Sequence, residues 1–161
     1  MNVSVRGAKD RQFTYALKQA THSFANKLLS AKIRQNIDVQ IFILDKLNAG
    51  GYCLAVDGSP HREFIIELKR SPYKIITLKT LAHEFVHVKQ FATGAMKFGY
   101  YKNYNITRYN GILYNDDEIN YWDHPWEIEA YGLQNSLVAK YLSESHMYKF
   151  FKQRPTDWMQ G

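Results

Sequence analysis

The stretch from Lys74 to about Thr93 constrains this chain most, because Leu78, Leu81, Phe85, Val88 and Ala92 recur there at helical spacing. That spacing puts His83-Glu84-Phe85-Val86-His87 inside a helix, between the break at Ser71-Pro72 and the stop at Gly94. Residues four apart on a helix share a face, so both imidazoles can reach one ion while Glu84 projects beside them. The apolar stripe leaves His83, Glu84 and His87 on its flank, where a cleft edge is expected. Imidazole nitrogen suits zinc at about 2.0–2.1 Å, and a catalytic zinc commonly takes three protein ligands and leaves a fourth position for water. The ion lowers the pKa of that water to about 7. Glu84 would then accept its proton during attack on a carbonyl and deliver it to the leaving amine.

A third ligand is needed, and Pro125-Trp126-Glu127-Ile128-Glu129-Ala130 opens a helix that offers two carboxylates. Positions two apart on a helix point about 200° apart, so Glu127 and Glu129 cannot both face one ion. Glu127 is the expected ligand, because Ala130 then lies one turn along the same face and lets the two helices approach closely. Glu129 and His124 are the alternatives, Glu129 with a second role as a carboxylate behind the ligands and His124 as part of the turn into the helix.

Around these two helices the patterning is mixed. Phe13, Leu17, Ala20, Phe24 and Leu28 mark a helix from Asp10 to Ser30, and Trp126, Ala130, Leu133, Leu137 and Tyr141 mark the buried stripe of the later one. Ile37 to Ile43 alternates with period two, and Tyr52 to Val56 and Phe64 to Leu68 follow as further strands, reading as a small meander. Residues 97–122 form an aromatic insertion, with eight aromatics from Phe98 to Trp122 and one hairpin arm expected at Ile112 to Tyr114 after Asn110-Gly111. A short last helix is expected near His146 to Lys152. No repeat or linker divides the chain, so residues 1–161 read as one α+β domain.

Composition narrows the class. Apolar residues at 45% and charged residues at 22% exclude a disordered or coiled-coil chain. The single cysteine, Cys53, excludes a disulfide scaffold and reads as a small core residue. Neither an export signal nor an apolar run of about 18 residues is present, so a cytoplasmic protein without membrane contact is expected. The net charge of +6 is spread over short clusters, such as Lys69-Arg70 and Lys149 to Arg154, and reads mainly as a solvated basic face. Nucleic acid bound by charge and by stacking on Tyr100, Tyr101 and Tyr104 is the weaker alternative partner.

The combination of HEFVH on a helix after three strands with a later E-x-E-A helix resembles the minimal zincin metallopeptidases of the gluzincin type. LAHEFVHVKQ and PWEIEAYG are most similar to small SprT-like and phage-encoded metallopeptidases. The resemblance implies a zincin core over about Asp10 to Leu142, one zinc held by His83, His87 and a third ligand, Glu84 as catalytic base and a protein or peptide as substrate. Where gluzincins place an aspartate four residues after the ligand glutamate, this chain has Tyr131. SprT-like proteins often use histidine as the third ligand, the place His124 would take. A ligating imidazole needs a partner for its other N–H, for which Tyr131 and Asp123 are candidates. The oxyanion of peptide hydrolysis needs a donor, for which the insertion offers Tyr104, Arg108, Tyr109 and Tyr114. A Tyr-rich lid and a catalytically silent, zinc-stabilised binding module are both compatible with these residues.

Overall fold

The computed structural model describes residues 1–101 and 103–153. The end of the basic cluster at Arg154 and the last residues of the chain lie outside them, as does the side chain of Tyr101. The described residues form an α+β fold with five α-helices and two sheets.

The first sheet contains β1 (Asn2–Arg6), β2 (Asp38–Leu44), β3 (Gly51–Ala55) and β4 (Glu63–Lys69) in the order β1-β2-β4-β3. The three expected strands are present, but they are not a meander. Strand β4 lies between β2 and β3, parallel to β2 and antiparallel to β3, and β1 adds a further parallel strand beside β2. Burial explains the order. Alternate residues of β2 (Val39, Ile41 and Ile43) and of β4 (Phe64, Ile66 and Leu68) are buried, whereas β3 exposes Tyr52 and Leu54 and suits an edge. Strand β1 carries only Val3 and Val5 as β-branched residues and takes its partner from a distant part of the chain, so its local pattern is faint.

Helices α1 (Arg11–Leu28) and α3 (Lys74–Ala92) pack on this sheet, and α4 (Pro125–Ser145) packs on α3. The short α2 (Ala31–Arg34) leads from α1 into β2. Helix α1 begins where the Asp10 carboxylate accepts the Gln12 N–H at 2.8 Å, and Lys74 at the start of α3 pairs with the same carboxylate at 3.3 Å. Helix α3 is buried on almost every side, as its apolar composition requires. Arg62 fixes its far end by donating to the Ala92 carbonyl at 2.9 Å.

The buried core draws on elements on both sides of residues 10–142. Strand β1 belongs to the sheet at one end, and Phe150 and Phe151 of α5 (Tyr148–Lys152) are buried against the core at the other. The aromatic insertion is itself a sheet of β5 (Met96–Tyr101), β6 (Tyr104–Tyr109) and β7 (Ile112–Asn115), antiparallel throughout. The expected arm at Ile112 is β7, joined to β6 by Asn110-Gly111 with φ of 48° and 85°, as a tight hairpin turn requires. A 3-10 turn, Tyr121–Asp123, then leads into α4.

Candidate metal centre

His83 and His87 lie one turn apart in the middle of α3, with ring centroids 5.0 Å apart. Glu127, in the first turn of α4, faces both. Its Oε2 is 3.1 Å from His83 Nε2 and its Oε1 is 3.4 Å from His87 Nε2. One ligand atom from each of the three residues lies within 4.8 Å of the others, and all three residues are buried. His83, His87 and Glu127 can therefore hold a metal ion. Buried Ala130, one turn after Glu127, allows the close approach of the helices that this arrangement needs.

The two alternative ligands go elsewhere. Glu129 turns away from the histidines and accepts hydrogen bonds from Lys89, from Gln90 Nε2 at 2.8 Å and from the Tyr109 hydroxyl at 2.8 Å. His124 stacks on Trp126, with centroids 4.5 Å apart. The helical angle that separates Glu127 from Glu129 thus assigns one to the cluster and the other behind it.

Gln90 was not apparent from the sequence, yet it fixes the orientation of His87. Its Nε2 donates to the Trp126 carbonyl at 2.9 Å and to Glu129, and both of these partners can only accept. The amide oxygen therefore faces His87 Nδ1, 2.8 Å away, and that nitrogen must donate. In the neutral imidazole the lone pair is therefore on Nε2, the nitrogen that faces Glu127; in the imidazolium that nitrogen carries the second proton and donates to Glu127. His83 has no such support: among the described residues its Nδ1 has no hydrogen-bond partner. Tyr131 places its ring against His83, centroids 4.4 Å apart, in place of a hydroxyl. No described hydrogen bond joins Asp123 to either histidine.

The charges follow from this packing. Burial opposes ionisation of Glu127, but hydrogen bonds from His83 and His87, the charge of His87 and the Tyr121 hydroxyl hold it far below the usual carboxylate range. Burial also opposes charge on His87, yet its contact with Glu127 raises it above the ordinary histidine value. Burial pushes the Glu84 carboxyl up to about 7 against the pull of His87 and His83, with the Glu127 charge adding to the rise. Burial and the Glu129 carboxylate push Tyr109 up to about 12, and burial with Tyr131 and Glu127 raises Tyr121 further.

Glu84 is the buried point where two clefts of about 470 and 520 Å³ meet, with Ala49, Gly51 and Tyr121 bordering both. Gly51 makes room for it. A Cβ on Gly51 would lie 2.8 Å from Glu84 Oε1 and 2.8 Å from Thr80 Cγ2, closer than real contacts allow. Opposite, the Tyr121 hydroxyl donates to Glu127 Oε2 at 2.8 Å.

Among the donors expected from the insertion, Tyr109 is committed to Glu129, Tyr114 packs on Trp126 at 5.8 Å, and Tyr104 and Arg108 are exposed. Tyr121 holds the position beside the cluster instead. A signal for it existed, since it precedes the ligand helix by one short turn; Gln90, whose full burial only the fold shows, gave none. Gly51 gave none. No known protein family, no curated protein and no solved structure matches this chain. No helix among the described residues is long and apolar enough to cross a membrane.

Proposed function

We propose that this chain is a zinc-dependent peptidase with a zincin-like core, in which His83, His87 and Glu127 hold the ion and Glu84 is the general base. The observation that carries this reading is the buried cluster of two imidazoles and one carboxylate within 4.8 Å, beside a second buried carboxylate at the junction of two clefts. Two nitrogens and one oxygen suit zinc, and Gln90 leaves the His87 lone pair on the nitrogen that faces the other ligands. When bound, zinc supplies Lewis acidity that polarises a carbonyl and acidifies a water.

The chain's own groups do the rest. A carboxyl that titrates near neutrality can take a proton from an attacking water and return it to a leaving amine, which is the role of Glu84. Tyr121 keeps its proton and borders both clefts, and its hydroxyl would donate to a developing oxyanion only by turning away from Glu127 Oε2. Among the described residues strand β3 has a partner only on its β4 side, and Gly51 to Leu54 border one cleft, so an extended peptide can pair with its open edge.

The test is metal content by mass spectrometry for the wild type and for His83→Ala, Glu127→Ala, Glu129→Ala and His124→Ala, with peptide cleavage compared between wild type and Glu84→Gln. The expected result is about one zinc per chain, lost in the first two variants and kept in His124→Ala, with cleavage abolished by Glu84→Gln. No zinc uptake after chelation and refilling overturns the metal reading. Zinc bound without any cleavage favours the silent binding module.

A further inference from the structure

The two clefts that meet at Glu84 differ in chemistry. The larger is mainly apolar: Phe91, Met96 and Trp126 are buried in its wall, Tyr52 and Leu54 border it, and Phe98 stands at its mouth, 64% exposed. The smaller runs the other way, between α3 and α4, toward Lys79, Thr80 and Gln134. Lys79 lies one turn before His83 on α3. Gln134 lies one turn beyond Tyr131 on α4, and the Tyr131 ring rests against His83. The two side chains therefore border the same end of the cleft, away from Glu127.

This end offers unspent hydrogen-bond donors. The Thr80 hydroxyl is committed to the Ile76 carbonyl at 3.1 Å. Lys89 and Gln90, farther along α3, are both spent on Glu129. Lys79 and Gln134, by contrast, take part in no ion pair or side-chain hydrogen bond among the described residues. Glu84 is the one carboxylate among the residues that border the cleft, and it sits at the opposite end, beside His83. An ammonium and an amide N–H that border one space suit a carboxylate, which can accept a bond on each oxygen. Ile76 and Trp122 wall the same cleft, so an ion pair formed inside it is screened less than one on the open surface. A helical turn spans about 5.4 Å and a residue of extended peptide about 3.3 Å, so a carboxylate one or two residues from a bond held at Glu84 comes within reach of Lys79.

We infer that the smaller cleft is a carboxylate-recognition site, in which Lys79 and Gln134 bind an anionic group of the substrate one or two residues from the cleaved bond. The inference rests on the peptidase reading and adds a substrate class to it: peptides with an acidic side chain, or a free chain terminus, close to that bond. The two sources share one chemistry and differ in what blocking the terminus does.

The test uses Glu84→Gln protein with zinc added and fluorescein-labelled peptides, with binding read by fluorescence anisotropy. One set has both ends blocked and carries Asp, Asn or Lys at the positions flanking a fixed bond. A second set stops one or two residues past that bond, with a free carboxylate or an amide. In at least one set the anionic peptide should bind at least about threefold more tightly than its neutral counterpart, and the difference should shrink as salt is raised. Lys79→Glu should reverse the order, favouring the Lys peptide over Asp or the amide over the carboxylate, and Gln134→Leu should weaken the preference. Zinc content and thermal midpoint should be unchanged in both variants. A preference in the blocked set assigns the site to an acidic side chain, and one confined to the second set assigns it to the chain terminus. Equal or undetectable binding of anionic and neutral peptides in both sets overturns the inference, as does a preference that Lys79→Glu leaves intact. Anionic selection in binding without cleavage by the wild type leaves the site standing and overturns the peptidase reading; cleavage without anionic preference does the reverse.

Discussion

At the scale of single residues, the orientation of His87 depends on Gln90, and this can be measured apart from turnover. Gln90→Met keeps the volume but removes the acceptor on His87 Nδ1, and zinc affinity should fall about 10–100-fold in a competition titration with a chromophoric chelator. Gly51 acts on the other carboxylate. The methyl of Gly51→Ala would push Glu84 from its place, so peptide cleavage should fall by about a hundredfold while zinc content stays at the wild-type level. His83, Glu84 and His87 were legible in the sequence because a helix makes neighbours of residues close along the chain. Gln90 and Gly51 were not, because the first is defined by a carbonyl on another helix and the second by the space a distant side chain occupies.

At the scale of elements, the long helices were legible and the neighbours of the strands were not. Helices α1, α3 and α4 follow their apolar stripes almost to the residue, since capping and period are local properties. Strand order depends instead on how much of each strand is buried, so β3, which reads as the middle of three strands, lies at the edge and becomes the cleft wall. The start of α1 yields a stability prediction. Asp10→Ala removes the carboxylate that caps Gln12 and pairs with Lys74, and should cost about 1 kcal/mol in urea unfolding at pH 7. Burial opposes the charge of Asp10, but the hydrogen bonds from Gln12, Lys74 and Phe13 and the charge of Lys74 together hold its carboxyl below the usual value. Its contribution is therefore full above the unfolded pKa of about 3.9 and fades as the pH drops through the lower folded value, so the difference between wild type and variant should shrink in acid.

At the scale of the whole molecule, the cluster of His83, His87 and Glu127 joins α3 to α4, elements separated along the chain by the inserted sheet. An ion that binds the folded form alone stabilises it by about 4 kcal/mol at a thousand times its dissociation constant. Zinc should thus raise the thermal midpoint of the wild type, chelation should reverse the rise, and His83→Ala should respond to neither. Strand β1 was not legible because it is short and pairs with a strand far along the chain, whereas the last helix was legible and only its burial was not. The inserted sheet binds two properties together. Met96 of β5 is paired with Tyr109 of β6; the first strand carries Phe98 at the mouth of the apolar cleft, and the second ends on the hydroxyl that secures Glu129 behind Gln90 and His87. The hairpin is therefore not an exchangeable cassette: a swap that reshapes the apolar cleft would also disturb the support behind His87 and, on the proposed reading, the hold on an ion.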